Sequence, residues 1–151
     1  MTSLAPRTLG SAVVCWLILE SNVAAADAGD VELGRQFLYC GVVTMKVVEW
    51  SGLQAPDKER RSKAAYARML IQTSTLIPKD QLNTEYRVAQ DRLADELKSK
   101  VSERATNPAA VGEFLRDQYV SCQKLESEKG KDAFARGMET MGPSAPASPR
   151  Q

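Results

Sequence analysis

Residues 82–101 read LNTEYRVAQDRLADELKSKV, and this stretch decides the fold class. Its apolar residues recur at steps of four and three, which places them on one face of an α-helix: Leu82, Tyr86, Ala89, Leu93, Leu97 and Val101. The strict alternation of apolar and polar residues that marks a half-buried strand is absent. The stretch therefore predicts an amphipathic helix, helix 3, which we expect to begin near Pro78 because proline suits the first turn of a helix.

Two further helices are predicted before this stretch. Helix 1 extends from an N-cap at Asp30 to Trp50, and Ser51-Gly52 ends it. Its valines would also suit a strand, but the three- and four-residue spacing of its apolar residues favours a helix. Helix 2 extends from Pro56 to Leu76, again with a proline in its first turn.

A fourth helix and a short fifth segment follow. Asn107 and Pro108 have the character of an N-cap and a first-turn proline, and Gly130 is expected to end helix 4. The apolar face of helix 4 consists of Val111, Leu115, Gln118, Cys122 and Leu125, flanked by Phe114. Beyond Gly130, a short stripe at helical spacing predicts a fifth helical segment made by Phe134, Met138 and Met141.

The N-terminal segment has the three parts of a secretory signal peptide. Arg7 follows the amino terminus, residues 9–19 form an apolar run, and alanines at 24–26 suit a signal peptidase. The run is too short to cross a membrane, which takes roughly 20 apolar residues. We therefore expect a signal peptide at 1–26, a helical bundle domain at 27–141 and a disordered Pro/Ser tail at 142–151, with no membrane span after cleavage and a periplasmic or secreted location.

Two cysteines remain after the predicted cleavage, because Cys15 lies within the signal peptide. Cys40 and Cys122 fall on the apolar faces of helices 1 and 4. If successive helices alternate in direction, the rise per residue places the two cysteines at nearly the same height along the bundle axis. In an oxidising compartment such a pair forms a disulfide. The sequence thus predicts an all-α, antiparallel up-down four-helix bundle with a short fifth helical segment and one disulfide linking helices 1 and 4.

The composition argues against most enzyme classes. The chain has no histidine, which excludes Ser-His-Asp and Cys-His catalysis and any metal site built on imidazole. The carboxylates of helix 3 predict a solvated face, with Glu96 expected to pair with Lys100. The net charge of +1 gives no electrostatic reason to expect nucleic acid as a partner. We expect no catalytic residue, no cofactor and no metal, although an unrecognised enzyme stays open as a third alternative.

The candidate partner surface consists of large apolar side chains left over once four helices close. Trp50, with Tyr39 in its neighbourhood, either packs in the core or forms a binding hot spot. The segment of Phe134, Met138 and Met141 either docks as a final half-helix or offers an adaptable apolar surface.

These features predict an exported, non-enzymatic binding protein of the inhibitor, immunity or chaperone type. It would present a rigid, disulfide-linked helical surface to a protein partner in the periplasm or outside the cell. The alternative is a small-molecule carrier with a ligand cavity inside the bundle. The order of signal peptide, helices and disulfide is similar to that of small helical periplasmic immunity proteins that protect bacteria from amidase effectors; no motif carries site residues over.

Overall fold

The computed structural model describes residues 27–141, so the predicted signal peptide and the Pro/Ser tail lie outside the described residues. The elements are α1 (Ala28–Trp50), α2 (Ala55–Thr73), α3 (Leu82–Glu103), α4 (Ala110–Leu125), a π-helical turn (Glu126–Gly130) and α5 (Lys131–Thr140). The predicted all-α bundle of four helices, a short fifth segment and a disulfide is confirmed. Within residues 27–141, each helix is too short or too polar to cross a membrane.

The first helix starts earlier than predicted. The side chain of Asp27 accepts a hydrogen bond from the Gly29 N–H at 3.3 Å, so Asp27 is the N-cap and α1 begins at Ala28. The prediction of an N-cap at Asp30 is wrong, because Asp30 lies within the first turn, where its carboxylate faces the positive end of the helix dipole. The predicted end at Trp50 is confirmed.

The link between α2 and α3 is longer than predicted. Helix α2 ends at Thr73, whose carbonyl accepts from the N–H groups of Leu76 and Ile77 at 3.0 Å each. Both of these side chains are buried, so they belong to the core although they lie outside the helix. Pro78 is part of a turn in which its carbonyl accepts from the Leu82 N–H at 3.1 Å, and α3 begins only at Leu82.

Gly130 does not end the helical run that starts with α4. The π-helical turn carries the chain from α4 directly into α5, and Gly130 is buried within that run. A side chain at Gly130 would collide with Glu126 and would come within 3.1 Å of the Gln72 side-chain nitrogen. A side chain here would displace the Glu126 carboxylate from its place beside Gln72, and the prediction that Gly130 stops helix 4 is wrong.

Helix α1 lies at the centre of the bundle. All seven residues of 37–43 are buried, so this part of the helix is covered on every side, not along the single broad face that its sequence suggested. The contacts of Gly34 with Ile77 and of Gly41 with Met69 show that α2 runs antiparallel to α1. The main core cluster joins α1 to the other helices through Leu38, Val43, Met69, Ala89, Leu93 and Cys122.

Candidate functional site

The predicted disulfide between α1 and α4 is confirmed. Cys40 and Cys122 have their Cα atoms 5.3 Å apart, are 82 residues apart in the sequence and are both nearly buried. Both cysteines line a cleft on each side of α4. The disulfide therefore forms the common wall of two surface depressions, and such a bond is typical of proteins in an oxidising compartment.

The first depression is the α1–α3–α4 cleft, with a volume of about 730 Å³. Tyr39 and Cys40 form its floor, while residues 85–92 of α3 and 118–125 of α4 form its walls. These wall segments lie at the ends of α3 and α4 that are remote from their connection, and the cleft lies between them over α1. The apolar part of the wall includes Val88, Ala89 and Leu125.

A bidentate ion pair fixes one rim of this cleft. The Arg35 guanidinium donates to the two carboxylate oxygens of Glu85 at 2.9 and 2.7 Å and so joins α1 to α3. These hydrogen bonds lower the pKa of the Glu85 carboxyl from its ordinary value and raise the pKa of Arg35. Both groups are thereby held in their charged forms at neutral pH.

A second polar cluster lies along the same α1–α3 contact. The Tyr39 hydroxyl donates to Glu96, which also accepts from the Arg92 Nε at 3.0 Å. The Arg92 guanidinium lies 4.3 Å from the centre of the Tyr39 ring, a cation–π arrangement. Burial, and then the hydrogen bond to Glu96, raise the pKa of the Tyr39 phenol well above its ordinary value.

The predicted pairing of Glu96 with Lys100 is wrong. Glu96 turns toward Arg92 and Tyr39, while Lys100 pairs with Glu103 at 2.8 Å. A buried phenol across the helix interface competes better for the carboxylate than an exposed lysine one turn away, because a charge-assisted hydrogen bond is stronger where water is excluded.

On the other side of α4 is a shallower depression, the α1–α2–α4 groove. It consists of two adjoining clefts of about 230 and 530 Å³ that share Thr44, Ala65, Arg68 and Tyr119. The α2 wall of the outer cleft includes the alanines at 64, 65 and 67, whose short side chains leave the space between α2 and α4 unfilled.

One end of this groove is closed by a network around the π-helical turn. Arg68 donates to Glu126 at 2.8 Å, and the buried Gln72 side chain donates to Glu126 at 2.8 Å and to the Gly130 carbonyl at 3.3 Å. A π-turn displaces the side chains that follow it relative to a regular α-helix. Glu126, the first residue of this turn, still has α-helical dihedral angles, and its carboxylate meets α2 at the point where α5 is about to start.

The structure separates the two residues expected to form a partner surface on α1. Tyr39 is buried beneath Arg92, so it is not available as an exposed contact. Trp50 is 55% exposed and does not pack in the core. Eleven residues of helix put the two about 16 Å apart along α1, so they form no common surface.

Segment α5 docks on α2 through small residues. Ala133 and Gly137 are buried, and a Cβ at Gly137 would lie only 2.7 Å from the carbonyl carbon of Ile71. Phe134 is half-buried beside Arg68, whereas the stripe's other members, Met138 and Met141, are exposed. The predicted stripe is therefore not the buried face of α5, because the close approach of two backbones requires residues with little or no side chain.

Sequence reasoning named the floor residues Tyr39 and Cys40 for other reasons, but it did not predict that a cleft lies over them, and it missed Val88 and the charged rim. Val88 carries the one local signal that would have helped, since it is an apolar residue outside the main stripe of α3 and is 56% exposed. Arg35 and Glu85 are 50 residues apart, and nothing in their local sequence indicates that they pair.

No protein-family model, curated protein or solved structure matches this chain. Among the described residues, no group of three His, Cys, Asp or Glu side chains is placed to hold a metal ion. The two depressions beside the disulfide are the surface features of the described residues that combine concave shape with charge.

Proposed function

We propose that this chain is an exported, non-enzymatic binding protein of the inhibitor, immunity or chaperone type, and that it holds a segment of a partner protein in the α1–α3–α4 cleft. One observation carries the proposal: an open cleft of about 730 Å³ combines an apolar wall, with Val88 exposed, Leu125 half-buried and Ala89 buried, with a rim of charged side chains. An apolar centre with a polar rim is the usual anatomy of a protein–protein interface.

The cleft is preformed, because covalent and ionic contacts hold its helices in place without a partner. The disulfide fixes α4 to α1 at the floor, and the pair of Arg35 with Glu85 fixes α3 to α1 at the rim. A surface that is ordered in advance loses less conformational entropy when it binds. This supports a binding function, in which rigidity increases affinity.

The ionisable groups of the cleft support a role without chemistry. General acids and bases work best when their pKa lies near the working pH. The pKa of Glu85 is lowered and the pKa values of Tyr39 and the two arginines Arg35 and Arg92 are raised, so each group is moved away from neutrality. Their charges suit recognition and positioning.

The proposed export rests on the predicted signal peptide and on the disulfide, which forms and persists outside the reducing cytosol. We place the working protein in the periplasm or outside the cell, beginning at Asp27. N-terminal sequencing of the protein recovered from a bacterial export host tests this directly. Recovery of a chain that retains Met1 in the membrane fraction would contradict it.

A small-molecule carrier is the second candidate, because the cleft volume falls within the range of about 300–1,000 Å³ that is common for ligand pockets. Such pockets cover most of the ligand's surface. The α1–α3–α4 cleft instead opens to solvent between two helices, which suits a protein segment better.

Two valines of equal exposure provide the test. Val88 lines the cleft, while Val120 lies on the outer side of α4, and each is 56% exposed. We expect the tagged, exported protein to capture a stoichiometric partner from the exported proteins of its native source, and Val88→Glu to abolish capture while Val120→Glu retains it. Equal capture by the two variants would move the binding site elsewhere, and a small molecule in native mass spectrometry without a protein partner would favour the carrier.

A further inference from the structure

The α1–α2–α4 groove has no role in the proposed function, yet it is an apolar channel of defined length. On α2 its lining extends from Arg61 to Gln72, which is eleven residues or about 16 Å of helix. Its deep part reaches Met69 and the disulfide, and its outer part is lined by Ala65 and other small or apolar residues. The two parts of the groove meet at Arg68, which pairs with Glu126.

The charges along α2 distinguish one side chain from its neighbours. Arg60 pairs with Asp57 and Lys63 with Glu59, each within a helical turn, and Arg68 pairs with Glu126 across the groove. Arg61 lines the outer cleft but makes no ion pair with any residue in 27–141. The mouth of an apolar channel therefore carries one uncompensated positive charge.

We propose that this groove binds a single-chain amphiphile with a carboxylate head group, such as a fatty acid, with the head at Arg61 and the chain running past Ala65 toward the disulfide. A guanidinium presents two parallel N–H donors that match a carboxylate. The alanines on α2 leave room for one acyl chain, and the other arginine of the lining, Arg68, is already paired with Glu126. This inference goes beyond the proposed function, since it concerns the other face of α4.

The test is calorimetric titration of the purified, exported full chain with dodecanoate below its micelle concentration. We expect Arg61→Gln to weaken binding about tenfold, the usual effect of losing a hydrogen-bonded charge pair. Arg60→Gln is the matched control, because it removes the same charge from the next residue outside the groove and should leave the affinity unchanged. Ala65→Leu should abolish binding by filling the groove, whereas Ala94→Leu, on the exposed side of α3, should not alter it.

Three outcomes would overturn the proposal: no binding of dodecanoate by the wild-type chain, equal binding of dodecyltrimethylammonium, or equal loss of affinity in Arg61→Gln and Arg60→Gln. If Ala65→Leu does not fold, NMR contacts decide the matter. The dodecanoate methyl protons should then show contacts to the Tyr119 ring in the wild-type chain, and contacts to Val88 in their place would contradict the assignment. Val88→Glu should leave dodecanoate binding intact, so this proposal and the proposed function can fail separately.

Discussion

Removing the disulfide should destabilise the bundle by an amount that follows from its loop length. Cys40 and Cys122 are 82 residues apart. The chain-entropy relation for a loop of that length gives about 4.5 kcal/mol at 25 °C. We expect the double variant Cys40→Ala/Cys122→Ala to lose about 3–5 kcal/mol of unfolding free energy, a large part of the net stability of a domain of this size.

Removing the disulfide should lower the local stability of α4 more than that of the other helices. Clefts flank this helix on both sides, so fewer side chains hold its C-terminal half than hold α1 or α2. Amide hydrogen exchange should therefore show lower protection in α4 than in α2 once the bond is removed.

Urea denaturation followed by circular dichroism at 222 nm measures the change in unfolding free energy. Three proteins should be compared: the oxidised wild type, the reduced wild type and the double alanine variant. The two forms without the bond should agree closely, and Val120→Ala, an exposed change on the same helix, should stay within about 0.5 kcal/mol of the wild type. A loss below about 1 kcal/mol in both forms without the bond would refute the reasoning.

Two further predictions concern α5 and the rim of the cleft. Gly137→Ala should destabilise the protein by about 1–3 kcal/mol, because the new methyl group meets the α2 backbone. Gly112→Ala is the control: nothing lies within 4 Å of its Cβ position, so it should be neutral or slightly stabilising. Equal urea midpoints for the two variants would contradict the tight α2–α5 contact. Arg35 lowers the folded-state pKa of Glu85 below its ordinary value of 4.5, so the stability from this pair is present above that value and is lost as the pH falls through the lower folded pKa. Glu85→Gln should therefore flatten the fall of the urea midpoint below about pH 5. Glu103→Gln is the control and should keep the wild-type pH dependence. An unchanged pH dependence in Glu85→Gln would contradict the prediction.

The helical character of each segment was predictable from its own sequence, although the N-cap of α1 at Asp27 was not. The stripe of α3 includes Ala89 and Leu93, which are both buried, because one side of this helix faces the core and the other faces water. The matching heights of the two cysteines along the bundle axis also followed from the helix lengths, since the rise per residue is fixed.

The parts that depend on two elements together were not predictable. The sequence of α1 suggests one apolar side, but α2, α3 and α4 all pack against this helix, so residues 37–43 are buried all round. The buried face of α5 uses Ala133 and Gly137, which a hydrophobic pattern does not distinguish from exposed small residues. Glu126 meets Arg68 across 58 residues of sequence, and no local pattern indicates this contact or the π-turn that begins at Glu126.

The central claim, that the α1–α3–α4 cleft is the partner-binding surface, is tested most directly by site-specific photo-crosslinking in the native source. The photoreactive residue benzoylphenylalanine replaces Val88 in one strain and the equally exposed Val120 in another. We predict that position 88 gives one discrete crosslinked protein on irradiation and that position 120 gives none. Crosslinking to the same protein from both positions with equal yield, or from position 120 alone, would contradict the account.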